Sequence, residues 1–144
     1  MKVLKSVKLL IVHCVANRCD KPFSVEKLVA CGKAKYGQCS YHYYVRYDGT
    51  VVPLLPESVQ GVHARGYNHC SLGIVYEGGL DENGKAADTR TEKQKHALYE
   101  LLKALARDYP EARILGHCEL SGVHKLCPCY TASKEYADLQ PQAR

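Results

Sequence analysis

Apolar residues are grouped in short runs along the chain, and these runs predict strands. Residues 7–13 are dominated by branched aliphatic side chains, a pattern typical of a strand buried on both faces near the centre of a sheet. Residues 71–76 and 113–115 form two further runs of this kind. We therefore expect at least three strands outside any hairpin.

A hairpin is predicted between these strands. Residues 40–47 are rich in aromatic and β-branched side chains, Asp48-Gly49 follows, and a second β-rich run occupies residues 50–53. Side chains alternate between the two faces of a strand, so two sets should separate. One set is Tyr41, Tyr43, Val45 and Tyr47, and the other is His42, Tyr44 and Arg46.

Helical spacing is found in three places. Ser24 is a plausible N-cap for a first helix that Gly32 would end. Residues 91–94 read Thr-Glu-Lys-Gln, which is a capping box, and leucines then recur at three- and four-residue steps until Pro110. A last short helix is expected over residues 132–139.

The predicted order is strand, helix, hairpin, strand, long helix, strand, helix. This order is typical of an α/β or α+β fold with a central mixed β-sheet flanked by helices. The chain has 144 residues, which is the size of one domain, so we predict a single domain over residues 1–144.

Composition and charge narrow the class of protein. The chain is 46% hydrophobic and 24% charged, which is ordinary for a globular protein and argues against disorder. The net charge of +5 comes from scattered residues, so we expect no nucleic-acid partner. No apolar run is long enough for a membrane span, and residues 1–12 contain three lysines and no signal-peptide core, so cytoplasmic synthesis is expected.

Eight cysteines are unusual for a chain of this length. One interpretation is a disulfide framework in a secreted domain. The other is a set of reduced thiols, some buried and one or more on a metal, which fits a chain without an export signal. A thiol count under denaturing conditions separates the two. The sequence contains no C-x-x-C pair, so a zinc ribbon or thioredoxin motif is excluded.

The residues suggest one metal site. His13 and His117 each follow a predicted strand, and Cys127 lies in a loop ten residues after His117. Side chains converge at strand ends, and two imidazoles with a thiolate leave a fourth zinc position open for catalysis. With seven histidines and eight cysteines, other groupings are also possible, and each residue can have an ordinary structural role.

Other candidates are individually weaker. Lys125 and Tyr41 could each stabilise a developing oxyanion, although a surface lysine and a packed tyrosine are the ordinary alternatives. Glu77, Glu92 and Glu119 are acid/base candidates, of which Glu92 is better explained as a charge in the first turn of a helix. The polar loop 63–69 has the composition of a ligand-binding loop. Motifs of serine hydrolases, P-loop ATPases and dinucleotide enzymes are absent from the sequence.

Five segments in order carry a resemblance to a known family. They are Ile11-Val12-His13-Cys14; Tyr41-His42-Tyr43 with Arg46-Tyr47-Asp48-Gly49-Thr50; His63-Ala64-Arg65-Gly66-Tyr67-Asn68 with Ser71-Leu72-Gly73-Ile74; Gly116-His117-Cys118-Glu119; and Lys125-Leu126-Cys127-Pro128. The chain resembles the zinc-dependent N-acetylmuramoyl-L-alanine amidases of the type-2 amidase family. That family includes small phage endolysins and is related to peptidoglycan recognition proteins.

The resemblance implies a site and a reaction. It implies that Zn²⁺ is held by His13, His117 and Cys127. The implied catalytic pair is Tyr41 and Lys125, with His63 and Asn68 near the substrate groove. The implied reaction is hydrolysis of the amide between N-acetylmuramic acid and L-alanine of the peptidoglycan stem peptide.

Three departures from the family pattern bear on the site. Many relatives have a glutamate as general base where this chain has Val75, and Glu77 is two residues further on. The stretch 121–124 is slightly longer than in phage enzymes, which could displace Lys125. His124 and Cys129 flank the site as rival ligands.

Alternatives from other classes remain. A non-catalytic peptidoglycan-recognition module would keep the groove without a competent ligand set. A polymerase partner is possible because some phage amidases of this type inhibit a phage RNA polymerase, but the sequence does not support it. Without an export signal, access to the cell wall would require lysis or a holin, whereas a wall-recycling enzyme would not need to leave the cell.

Overall fold

The computed structural model describes residues 1–143, so the last position of the predicted 1–144 domain lies outside the described residues. The predicted fold class is confirmed: helices flank a central mixed sheet. The strands and helices are β1 (Leu9–Cys14), β2 (Asn17–Arg18), α1 (Val25–Tyr36), β3 (Tyr43–Val45), β4 (Val51–Pro53), β5 (Ser71–Tyr76), β6 (Gly79–Leu80), α2 (Glu92–Asp108), β7 (Arg113–Gly116) and α3 (Ala132–Glu135). Short 3₁₀ turns occupy Asn68–Cys70, His117–Glu119, Ala137–Leu139 and Pro141–Ala143.

The main sheet has five strands in the order β4-β3-β5-β1-β7. All neighbours are parallel except the β3–β4 hairpin, so the carboxyl ends of β1, β3, β5 and β7 lie at one edge. The expectation that the first strand is central is confirmed, because β1 lies between β5 and β7. It begins at Leu9, two residues later than predicted.

One face of the sheet packs against α2. The capping box predicted at its start is present: the Thr91 hydroxyl accepts from the Gln94 N–H, and the Gln94 side chain accepts from the Thr91 N–H. Leu98 and Leu102 are fully buried in the core on this face. Among residues 1–143, no helix combines the length and the apolar character needed to cross a membrane.

The opposite face carries α1 and, as shown below, the candidate site. The hydroxyl of Ser24 caps the start of α1, which ends at Tyr36 and is followed by Gly37 with a left-handed φ of 77°. The expected end at Gly32 is wrong. Gly32 is buried inside the helix, and a Cβ there would lie 2.8 Å from the carbonyl oxygen of Gln38, so it serves close packing and not termination.

Three further local features differ from the sequence expectations. The short parallel pair β2–β6 was not predicted, because a two-residue strand has no hydrophobic period to detect. The last helix is divided into α3 and a 3₁₀ turn. Tyr41 precedes β3, so it does not follow the strand alternation and packs near Tyr44 instead of Tyr43.

Candidate metal centre

Two histidines meet at the carboxyl edge of the sheet. His13 lies near the end of β1, and His117 follows directly after β7. The two strands are parallel neighbours, with Val12 opposite Gly116, so the residues that follow this pair are brought together. The centroids of the two imidazole rings are 4.6 Å apart. The predicted convergence of these strand ends is confirmed.

Cys127 completes the cluster from the loop before α3. Its main-chain carbonyl accepts from the N–H of Cys118 at 2.7 Å, and its Sγ accepts from the N–H of Cys14 at 3.1 Å. One ligand atom from each of His13, His117 and Cys127 lies within 4.8 Å of the other two. Within residues 1–143 this is the only such group, so His124 and Cys129 do not join it.

The electrostatics of the cluster suit a divalent cation. Burial, together with the His63 and His117 rings and the Lys125 ammonium, holds the pKa of His13 well below its ordinary value. Burial and Lys125 also lower the pKa of His117. Both imidazoles are therefore neutral at pH 7 and can offer lone pairs to a metal. Two neutral imidazoles and one thiol are a zinc donor set with one position left open.

Tyr41 lies beside this cluster. The centroid of its ring is 5.2 Å from that of His13, in an edge-on arrangement. Burial, reinforced by the nearby Cys127 and Cys14, raises the pKa of the Tyr41 phenol. The hydroxyl therefore keeps its proton at neutral pH and can act as a hydrogen-bond donor.

Lys125 is exposed and borders the same region. It lines the cleft together with His117, and its charge contributes to the lowered pKa of both histidines in the cluster. The longer stretch at residues 121–124 therefore does not remove this ammonium from the site. Lys125 therefore lines the same cavity as the three residues of the cluster.

A cleft of two adjoining cavities, with volumes of about 660 and 320 Å³, opens over the cluster. The residues that line both cavities are Tyr36, Val62, His63, His117 and Lys125. Among the described residues that line either cavity, none is an aspartate or a glutamate. The cleft is therefore neutral to basic and is suited to an anionic ligand.

The three glutamate candidates lie elsewhere. Glu77 is almost fully buried and binds Arg46 through both carboxylate oxygens, at 2.9 and 3.2 Å. Glu119 binds the N–H groups of Gly116 and Ser133, and Glu92 is exposed at the start of α2. Glu77 and Glu119 thus bind other groups of the fold, and Glu92 lies at a helix end. Glu77, two residues after Val75, therefore does not line the cleft.

The loop 63–69 forms one wall of the cleft. The side-chain oxygen of Asn68 accepts from the N–H groups of both His63 and Ala64, which fixes the shape of the loop. Nδ1 of His63 lies 2.9 Å from Nε2 of His13. The family resemblance implied a place for His63 near the groove but not this contact, because a hydrogen bond across 50 positions leaves no local pattern.

Comparison with known sequences identifies related proteins. The profile of the family described as N-acetylmuramoyl-L-alanine amidase matches residues 4–130. The endolysin of Escherichia phage T7 is 32% identical over 130 residues, which covers 90% of this chain and 85% of that protein. The profile match over residues 4–130 includes every residue of the candidate centre.

Solved structures show the same fold. The Ph2119 endolysin of a Thermus scotoductus bacteriophage superposes with a TM-score of 0.74 at 28% identity, covering 94% of this chain and 85% of its own. The N-acetylmuramoyl-L-alanine amidase LysC of Clostridium intestinale superposes with a TM-score of 0.78 at 21% identity, covering 100% and 92%. The sheet and its flanking helices are thus shared with these enzymes over nearly their full length.

Proposed function

Because the chain belongs to the N-acetylmuramoyl-L-alanine amidase family, we propose that it is a zinc-dependent enzyme that hydrolyses the amide between N-acetylmuramic acid and L-alanine in peptidoglycan. The metal would be held by His13, His117 and Cys127. The observation that carries the proposal is the cluster of these three side chains at the floor of an open cleft. We propose that residues 1–144 form one amidase domain.

In the proposed site, the zinc ion and the protein residues have separate roles. When bound, zinc would supply Lewis acidity, which lets a water molecule lose a proton near neutral pH and become a nucleophile, and which polarises the carbonyl group. The chain supplies two neutral imidazoles, and the N–H of Cys14 points at the sulfur of Cys127. Such hydrogen bonds orient a ligand and tune its donor strength.

Tyr41 and Lys125 are proposed as the catalytic residues. Attack on the lactyl carbonyl places negative charge on its oxygen, and a preorganised ammonium and phenol at the cleft can stabilise that charge. Burial raises the pKa of the Tyr41 phenol, so this group keeps its proton at neutral pH, and Lys125 lines the same cavity. They are also the chain's own candidates to protonate the leaving amine of L-alanine, because no carboxylate of the described residues lines the cleft.

His63 and Asn68 are proposed to contact the substrate. Both line the larger cavity, which Lys125 also lines. The oxygen of Asn68 is engaged by the loop main chain, which leaves its amide NH₂ as the group available to a substrate carbonyl or carboxylate.

Replacing Glu77 tests whether it has any catalytic role. We expect Glu77→Gln to lower the free energy of unfolding by about 3 kcal/mol, because Arg46 loses its charged partner. Activity per folded molecule should stay near that of the wild type. Chemical denaturation and specific activity, measured on the same preparation, check this. Normal stability combined with a loss of activity would instead identify Glu77 as the missing acid/base group.

Product analysis tests the proposed reaction. Purified peptidoglycan is incubated with the full-length zinc-loaded chain, and the soluble products are analysed by mass spectrometry. We expect free stem peptides with an L-alanine amino terminus and intact glycan strands. Peptides cut internally, or sugar-linked fragments, would contradict the assigned bond. Retention on peptidoglycan without any product would favour a recognition module.

The relatives also suggest where the enzyme acts. Several curated relatives are phage endolysins. We propose that this chain reaches peptidoglycan after release from the compartment where it is made, by lysis or through a holin.

A further inference from the structure

His63 is connected to the candidate metal centre in a way that substrate contact does not require. Its Nδ1 lies 2.9 Å from Nε2 of His13, and its Nε2 lies 3.3 Å from the hydroxyl of Ser71. The same hydroxyl lies 2.7 Å from the carbonyl oxygen of Tyr67. These contacts form a continuous chain of hydrogen bonds from a loop carbonyl to a proposed zinc ligand.

The donor and acceptor of each hydrogen bond in this series can be assigned by starting from the carbonyl group of Tyr67. The carbonyl oxygen of Tyr67 can only accept, so the hydroxyl of Ser71 must donate to it. The oxygen of Ser71 is then free to accept from Nε2–H of His63. A neutral His63 with its proton on Nε2 has an unprotonated Nδ1, which accepts from Nε2–H of His13. The proton of His13 is thereby held on Nε2.

From this we propose that His63 is a positioning residue that fixes the tautomer and ring orientation of His13, so that Nδ1 of His13 is the atom presented to the metal. The inference rests on the proposed function only in taking His13 as a zinc ligand. A ligating histidine commonly donates its second N–H to a carboxylate, a carbonyl or water. Here another imidazole takes that place, in a cleft whose described lining residues include no carboxylate.

The fold provides a slot for the ring of His63. A Cβ at Gly73, on β5, would lie 2.7 Å from Cγ of His63, and a Cβ at Gly61 would lie 3.0 Å from its Cδ2. The ring therefore occupies space that any other residue at these two positions would fill. The slot also keeps the ring in reach of Ser71, which lies two positions before Gly73 and so on the same face of β5.

The neighbouring His42 is not part of this series of hydrogen bonds. His42 accepts from the N–H of Gly73 through Nδ1 at 3.0 Å, and its Nε2 lies 2.7 Å from the carbonyl oxygen of Val59. Both ring nitrogens of His42 are therefore bound to main-chain groups. Its ring meets that of His63 edge-on and supports it without exchanging a hydrogen bond.

Zinc affinity tests the positioning role separately from substrate binding. The dissociation constant for zinc is measured by competition with a chelator, in the absence of peptidoglycan, for the wild type, His63→Leu and His63→Asn. The leucine removes the acceptor, whereas the oxygen of asparagine can replace Nδ1. We expect His63→Leu to weaken zinc binding by about 10- to 100-fold and His63→Asn to restore most of the affinity. The exposed His69, on the same loop, provides a control as His69→Leu.

The outcomes separate this inference from the proposed function. Wild-type affinity in His63→Leu, or equal losses in both His63 variants, would overturn the positioning role. A wild-type chain that binds no zinc would overturn the proposed function itself.

A spectroscopic measurement addresses the case in which His63→Leu fails to fold. In the wild-type chain labelled with ¹⁵N-histidine, long-range nitrogen–proton correlations report the tautomer of each ring. We expect both His13 and His63 to carry the proton on Nε2. A proton on Nδ1 of His13 in the zinc-free protein would contradict the assignment.

Discussion

His13→Ala is expected to lose both bound zinc and amidase activity. The imidazole is buried at the floor of the cleft and belongs to the one metal-competent cluster among residues 1–143. Without it, two protein ligands remain, fewer than the three that catalytic zinc sites use. We expect turnover to fall by about 1,000-fold or more, because several kcal/mol of Lewis-acid stabilisation is lost.

The measurement is metal analysis by mass spectrometry together with stem-peptide release. Alanine also leaves Nδ1 of His63 without its donor, so a moderate loss of stability is expected as well. Circular dichroism of the variant shows whether it is folded, and His69→Leu serves as a control for loss of an exposed histidine. A folded His13→Ala chain that retains one zinc per molecule would contradict the ligand assignment.

Lys125→Ala is expected to reduce turnover while leaving the zinc content normal. Removing one donor to a developing oxyanion typically costs about 100- to 1,000-fold in turnover. Lys125 is exposed and is not one of the three clustered ligands, so we expect the variant to fold and to keep its metal ligands. The effect should appear in kcat more than in KM, since the charge it stabilises exists mainly in the transition state.

Steady-state release of stem peptides and metal analysis on the same sample check this expectation. Lys103→Ala is the matched control, because Lys103 is exposed on α2, on the opposite face of the sheet. A Lys125→Ala chain as active as the wild type would remove this residue from the mechanism, and a loss of zinc would show that its role is structural.

The elements with a long repeating pattern could be predicted from the sequence. The apolar run of β1, the capping box of α2 and the leucine spacing that follows are each patterns contained within a single element. The parallel placement of β1 and β7 then brings His13 and His117 together. The convergence of the two histidines therefore follows from the fold class. The hairpin was equally visible, because its tight turn is encoded in two adjacent residues.

The parts that could not be predicted depend on contacts between distant segments. Gly32 reads as a helix terminator, but its small size is required by the approach of Gln38, which no local pattern reveals. The sulfur of Cys127, and not that of Cys129, lies in the cluster and accepts from the N–H of Cys14, which is 113 positions earlier. The spacing of Ser71 and Gly73 on one strand face was readable and could have indicated a slot on the site side of β5.

At position 75 this chain has a valine where many relatives have a glutamate, and the packing around it explains why no carboxylate is needed there for the fold. Val75 is fully buried with Leu28 and Tyr44, in the layer beneath α1. Glu77, the nearest carboxylate in the sequence, is committed to Arg46 and to the N–H groups of Phe23 and Tyr47. Neither position 75 nor position 77 therefore brings a carboxylate to the cleft among the described residues, which is why we expect a large effect of Lys125→Ala.

The most direct test of the account is a zinc titration of the metal-free chain, followed by the release of stem peptides from purified peptidoglycan. We expect no release before zinc is added, a rise in proportion to the zinc added, and saturation at one equivalent per chain. Release of the same peptides at full rate by the metal-free chain would contradict the central claim that one zinc ion at His13, His117 and Cys127 drives the reaction.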